Sequence, residues 1–339
     1  MTTNTSLYKM NHTMLRVKDP KRSVEYYQNN FGMKLIRKLD FEEVKFSLYF
    51  LAFDSPGAES AGRQWTDREG LLELTHNYGT EDDDNYKVNN GNVEPHKDMF
   101  GHICISVDHI EKACERLESN NIPFQKRLSD GGMKHIAFAL DPDGYWVEII
   151  GQKRSDPSST FTKLDVYRFN HTMLRVKDVE KSMQFYRSVL GMCLLRTIEQ
   201  PKAGFNLYFL GYRREGEEGG HTGEGNPLAD REGLVELTWN YGTEKEEGFK
   251  YHNGNEEPQG FGHICISVDD LDAACSRFED LRVNWKKRLT DGRMKNVAFI
   301  LDPDDYWIDP QSHPKRRHQI QSVLLVDQLV DYGSEIDMP

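Results

Sequence analysis

Four short strings in this chain carry residues that bind metal ions, and all four occur twice. His12 lies in NHTMLRVKD, Glu73 in LLELTHN, His102 in FGHICISVD and Glu148 in DPDGYWVE; the second occurrences carry His171, Glu236, His263 and Asp309. Each string alternates as a β-strand does, so side chains two apart share a face. His12, Met14 and Arg16 then oppose Thr13, Leu15 and Val17, and Glu73, Thr75 and Asn77 oppose Leu72 and Leu74. His102, Cys104 and Ser106 oppose Ile103, Ile105 and Val107, while Glu148 lies between Val147 and Ile149. A carboxylate in mid-strand is costly to bury unless it is paired or bound to metal. A single strand histidine is usually a hydrogen-bonded core residue, and a single strand glutamate usually marks a solvated edge. The fourfold repetition, with only Asp309 departing from it, outweighs those readings. Two imidazoles and two carboxylates with room for water suit a catalytic Zn²⁺ or a similar divalent ion. Alternation alone leaves open whether His12, Glu73, His102 and Glu148 meet within one copy or pair across copies.

The elements that must position these residues follow from the duplication. NHTMLRVKD at Asn11 returns at Asn170, DREGLLELTHNYGTE at Asp67 returns as DREGLVELTWNYGTE at Asp230, and GHICISVD at Gly101 returns at Gly262. The spacing stays at about 160 residues throughout. Within a copy, a strand over Lys9–Lys18 leads to Asp19-Pro20, an N-cap followed by proline at the first helical position. Val24, Tyr27 and Phe31 give that helix one apolar face, and Gly32 stops it. Three strands follow, and the order recurs from Met99 with a helix over Ile110–Asn120. The expectation is an α+β protein of four βαβββ modules in two tandem domains, 8–151 and 164–309. A polar linker spans 152–163, and a divergent tail over 310–339 carries Lys315-Arg316-Arg317 and a short amphipathic helix over Val323–Val330. Two long loops, about Asp54–Thr66 and Gly79–Asp98, are candidates for function or mobility.

Composition narrows the classes. A length of 339 residues exceeds one ordinary core. A net charge of −12 repels phosphate backbones, which argues against nucleic acid as partner. No apolar run is long enough to span a membrane, and MTTNTSLYKMNH lacks the character of a signal or transit peptide. Five cysteines, odd in number and without a CxxC, point to a reducing compartment, the cytoplasm by default. Cys104 and Cys265 read as packing residues.

The strings NHTMLRVKDP, FSLYFLAF, LELTHNYGTE, NGN-x-EP, FGHICISV and DPDGYWVE resemble the glyoxalase I (lactoylglutathione lyase) family, in its fused two-domain fungal-type form, on the vicinal-oxygen-chelate fold. The resemblance covers about Met10–Ile308. It implies a cytosolic enzyme that isomerises the hemithioacetal of glutathione and methylglyoxal to S-D-lactoylglutathione, working as a monomer with an intramolecular pseudo-dimer. It also implies metal sites shared between copies: His171, Glu236, His102 and Glu148 in one, His12, Glu73, His263 and Asp309 in the other. Glutathione-binding positions fall on Arg16, Asn77 and Lys287, and on Arg175, Asn240 and Lys126. A family arginine before FGH is absent; Lys97 stands near its place in the first copy and Gln259 in the second.

The implied chemistry moves a proton between adjacent carbons beside a carbonyl. It needs a Lewis acid and a nearby carboxylate. Glu148 is the first expected base, with Glu236 opposite it, and Glu73 and Asp309 are their counterparts. An extradiol dioxygenase would need only two histidines and one carboxylate, and a non-catalytic binding protein would lack the proton-shuttling carboxylate. The sites are expected to be unequal, because Asp309 is one methylene short and Pro310 should end its strand or confine it to an edge.

Overall fold

The computed structural model describes residues 2–92, 100–153, 158–214, 226–292 and 294–313. Lys97 and the tail from 314 onward, with its expected helix and its basic triplet, lie outside the described residues.

In the first copy β1 (Lys9–Arg16), α1 (Pro20–Phe31), β2 (Lys34–Phe41), β3 (Phe46–Ala52) and β4 (Leu71–Asn77) form one module. The next comprises β5 (Phe100–Val107), α2 (Ile110–Ser119), β6 (Phe124–Lys126), β7 (Ile136–Leu140) and β8 (Trp146–Gly151). The second copy opens with β9 (Arg168–Arg175), α3 (Val179–Gln184), β10 (Cys193–Gln200), β11 (Phe205–Gly211) and β12 (Leu234–Asn240). It closes with β13 (Phe261–Val268), α4 (Leu271–Asp280), β14 (Asn284–Lys287), β15 (Phe299–Leu301) and β16 (Trp307–Ser312). This is the expected α+β architecture of four βαβββ modules.

Helix α1 forms as its sequence dictates. The Asp19 carboxylate accepts from the backbone N–H groups of Lys21 and Arg22, Pro20 opens the first turn, and Gly32 ends the helix at φ 77°. Such a cap contributes about 1 kcal/mol. Val24, Tyr27 and Phe31 are buried against Leu51, Leu72 and Leu74, the strand face opposite Glu73. Tyr27 donates from its hydroxyl to the buried Asp141 at 3.0 Å, tying the first module to the second; Tyr186 and Asp302 repeat the contact at 3.0 Å. Among the described residues no helix is long and apolar enough to cross a membrane.

The modules pair across the copies. One eight-stranded sheet runs β14-β15-β16-β13-β1-β4-β3-β2 and the other β10-β11-β12-β9-β5-β8-β7-β6. Each therefore joins a module of the first copy to one of the second, through the antiparallel seams β1–β13 and β5–β9. The two sheets meet near a pseudo-twofold axis, where the hydroxyls of Thr13 and Thr172 hydrogen-bond. The glycines of the two DREG turns are required there. A Cβ on Gly70 (φ 68°) would stand 2.9 Å from the Phe169 carbonyl oxygen, and one on Gly233 (φ 67°) 2.8 Å from that of Met10.

Pro310 does not end its strand. β16 continues to Ser312, still paired with β13 through Ile266, Ser267 and Val268. The loss falls on the other side. β7 pairs with β8 over five positions from Ile136 to Leu140, whereas β15 pairs with β16 only at Ile300 and Leu301. A proline cannot donate to the ladder, so the neighbour peels away there while the opposite edge stays paired.

Candidate metal centres

Parallel pairing of β9 with β12 sets Met173 against Glu236, which brings His171 to the same patch of sheet. Across the seam, Cys104 lies in register with both His171 and Glu148. Four donor atoms converge as a result. His171 Nε2 is 3.0 Å from Glu236 Oε2, 3.2 Å from Glu148 Oε2 and 3.3 Å from His102 Nε2, and His102 Nε2 is 3.5 Å from Glu148 Oε2. All four residues are buried. For donors ~2.0 Å from a central ion, a tetrahedron has edges of about 3.3 Å. The donor set and the spacing therefore fit a divalent cation.

The pocket is built for positive charge. Burial works against ionised Glu148, yet His102 and His171 outweigh it and hold the carboxyl well below its usual range. Burial likewise disfavours a charge on His171, but Cys104, Glu148 and Glu236 prevail and raise its affinity for a proton. Either protons or a metal ion must sit among these groups.

The second centre is incomplete. His12 Nε2 lies 2.8 Å from Glu73 Oε2 and 3.1 Å from His263 Nε2, and Glu73 Oε2 is 3.9 Å from His263 Nε2. Asp309 does not join these three; it groups instead with His12 and Cys265. Burial pushes its carboxyl up to about 7, with Glu73 adding to the rise, while His12 and a hydrogen bond to Cys265 oppose it. Burial, with His12 and Arg16 nearby, depresses His263 to about 3.

The residues expected to hold glutathione sit elsewhere than in open solvent. Arg16 is buried, and its guanidinium donates to Asn255 Oδ1 at 2.9 Å and to carbonyls of Gly254, Gly260 and Phe261 at 3.4 Å. Arg175 does the same for the first copy's NGN turn, donating to Asn92 Oδ1 at 3.0 Å and to the Phe100 carbonyl at 3.3 Å. Lys126 and Lys287 close their own following loops, donating to the carbonyls of Met133 and Ile136, and of Met294 and Val297. Asn240 donates to the Tyr251 hydroxyl at 3.1 Å, and Asn77 is half-buried at the end of β4.

Several neighbours of the centres escape a reading by residue type. The rings of Phe138 and Phe209 stand edge-on to His102 and His171 at centroid distances of 5.3 and 5.4 Å, and Phe50 and Phe299 flank His12 and His263. Strand alternation carries the signal that finds them, since Phe138 pairs with Glu148 and Phe209 with Glu236. Thr75 and Thr238 donate to Glu73 and Glu236 at 3.1 and 3.2 Å. Cys104 and Cys265 are fully buried, and burial raises both thiols, so neither is poised as a nucleophile.

The described geometry has counterparts. Residues 9–149 and 168–309 both match the Glyoxalase/Bleomycin resistance protein/Dioxygenase superfamily. The chain is 53% identical over 309 residues to a lactoylglutathione lyase of Schizosaccharomyces pombe, covering 91% of this chain and 97% of that one. The chain belongs to the glyoxalase I (lactoylglutathione lyase) family. A glyoxalase I of Saccharomyces cerevisiae is 50% identical over 315 residues, covering 90% and 92% of the two chains. The crystal structure of glyoxalase I from Zea mays superposes with a TM-score of 0.63 at 29% identity, over 89% of this chain and 92% of that one. Within the family's two-domain form, the two copies here make a pseudo-dimer inside one chain.

Proposed function

We propose that this chain is a lactoylglutathione lyase that isomerises the hemithioacetal of glutathione and methylglyoxal to S-D-lactoylglutathione, chiefly at the centre of His102, Glu148, His171 and Glu236. The observation that carries the reading is the convergence of two imidazole nitrogens and two carboxylates, from four strands and both copies, at spacings that suit one cation. Nitrogen and oxygen donors of this kind suit Zn²⁺. When bound, the ion would supply Lewis acidity that acidifies the carbon beside the carbonyl. Glu148 takes the proton from one carbon and the neighbouring carbon receives it back, with Glu236 on the opposite side as the second carboxylate. Thr238 holds Glu236 in place, and Phe138 and Phe209 pack edge-on against the imidazoles.

The tripeptide part of the substrate is assigned to Arg175, Asn240 and Lys126 at this centre and to Arg16, Asn77 and Lys287 at the other. Their planar and ammonium donors match glutathione's carboxylates. Lys97 is assigned to the same clamp from sequence alone. At the second centre Glu73 keeps its place while Asp309 faces Cys265, which leaves no carboxylate in the position of Glu148. We assign the working form to a monomer in the cytoplasm, where the five free cysteines stay reduced. Thioester formation from glutathione plus methylglyoxal, followed by ultraviolet absorbance, tests the reading. Chelation should abolish it and Zn²⁺ restore it; activity untouched by thorough chelation overturns the metal role.

A further inference from the structure

The residue preceding each first-strand histidine is an asparagine that the reaction does not use. Asn11 and Asn170 are fully buried. In a regular strand each would point away from its histidine. Both instead sit at β-bulges: the β1–β13 register jumps from Met10 to His12, and the β9–β5 register from Phe169 to His171. A bulge re-aims a side chain, and here it turns the amide back onto the neighbouring imidazole. Asn170 Oδ1 lies 2.8 Å from His171 Nδ1, and Asn11 Oδ1 lies 2.7 Å from His12 Nδ1.

The orientation of each amide is dictated by its other end. Asn170 Nδ2 donates to the carbonyls of Leu228 and Arg231, both at 2.8 Å. Asn11 Nδ2 donates to those of Trp65 and Arg68, at 2.9 and 2.8 Å. Turning either amide over would aim its oxygen at two carbonyl oxygens and take from both of them the amide donor they now accept. So Oδ1 faces the ring. An amide oxygen can only accept, which requires the hydrogen on Nδ1 and leaves the Nε2 lone pair toward the centre in the neutral ring.

We infer that Asn170 and Asn11 are positioning residues that fix the Nδ1–H tautomer and the ring plane of His171 and His12. The carbonyls they hold lie in the DREG turns (Arg231, Arg68) and two residues before them (Leu228, Trp65), on the way into β12 and β4, so one amide sets a histidine and the approach to the strand bearing Glu236 or Glu73 together. The inference rests on reading these histidines as metal ligands. Partners of this kind typically change metal affinity 10- to 100-fold.

The test uses the full chain with its second centre disabled by His12→Ala, in three forms: Asn170 intact, Asn170→Ala and Asn170→Asp. Two quantities are read. One is the His171 tautomer in metal-free protein at alkaline pH, by long-range ¹H–¹⁵N correlation. The other is Zn²⁺ affinity, by competition with a chromophoric chelator. The intact form should show hydrogen on Nδ1 only. Asn170→Ala should populate both tautomers and weaken Zn²⁺ about 10- to 100-fold. Asn170→Asp, which keeps an acceptor but loses the two donors, should retain the tautomer and most of the affinity despite a lower Tm. Hydrogen on Nε2 in the intact form overturns the inference, whatever the variants do. So does an Asn170→Ala protein with a lower Tm but unchanged tautomer and affinity, which would make the amide a loop strut only. An intact form that binds no Zn²⁺ overturns the metal reading instead, and the tautomer measurement stands apart from it.

Discussion

The two centres are built from corresponding strands of the four modules and differ at one ligand position. In the first, Glu148 lies 3.2 Å from His171 and is held ionised by the histidines around it. In the second, Asp309 groups with Cys265 and His12, apart from Glu73 and His263, and burial pushes it up to about 7. The missing methylene withdraws the carboxylate by about 1.5 Å. That shortfall is larger than the misplacement of ~1 Å that costs on the order of 10²-fold in rate. On the β13 side the backbone register is the same in both centres. β16 keeps its pairing with β13, so Asp309 starts from the same register point as Glu148. The shorter side chain is the difference that sits at the ligand position itself.

The largest expected effect breaks the better centre. Glu148→Gln keeps the shape and removes the base, and should lower turnover by about 10²- to 10⁴-fold. Asp309→Asn should change it by less than about twofold, since a group outside the reacting cluster has little transition-state energy to lose. Steady-state rates of both variants at saturating metal decide between unequal and equal sites; equal losses mean that the two centres work alike.

A second, smaller effect should come from repairing the weaker centre. Asp309→Glu restores the length needed to reach the group of His12, Glu73 and His263. Tightly held metal should rise from about one ion per chain to about two, because a fourth protein donor completes the set. Turnover should rise by at most about twofold, the gain of one further working site. Metal analysis after dialysis against a moderate chelator reads the first quantity. An unchanged ratio places the defect elsewhere in the second centre.

What was legible in the sequence and what was not divides along the same physical line. Local rules found the α1 caps at Asp19, Pro20 and Gly32, and strand alternation set His12 and Glu73 each opposite apolar neighbours on its own strand, because both depend on near neighbours only. The seams β1–β13 and β5–β9 depend on residues far apart in the chain. Alternation is silent on them, and only the family resemblance pointed to ligands from both copies. Regular alternation would turn Asn11 and Asn170 away from their histidines, but a bulge adds one residue to the strand, which reverses the facing of a single side chain. Lys126 and Lys287 carry a charge that suits a substrate carboxylate. Residue type cannot tell that each also closes its own loop through backbone carbonyls.

The smallest expected effect concerns Pro310, where of the two expected outcomes the strand does not end but loses its neighbour on one side. Its counterpart Ile149 pairs with Ala137 on one side and Ile105 on the other; Pro310 keeps only the pairing with Ile266. Pro310→Ile restores a backbone donor where the ladder to β15 stops, and should extend β15 back toward Val297. The net gain of one such hydrogen bond is about 1 kcal/mol. For a protein of this size that corresponds to a rise in Tm of roughly 2 °C. Because Ile308 and Trp307 already hold β16 against β15, the change should leave the placement of Asp309 and the metal ratio unaltered. A calorimetric Tm that rises with unchanged metal content separates the ladder defect from the ligand defect. A rise in bound metal would instead show that the proline, and not the short side chain, keeps Asp309 from the second centre.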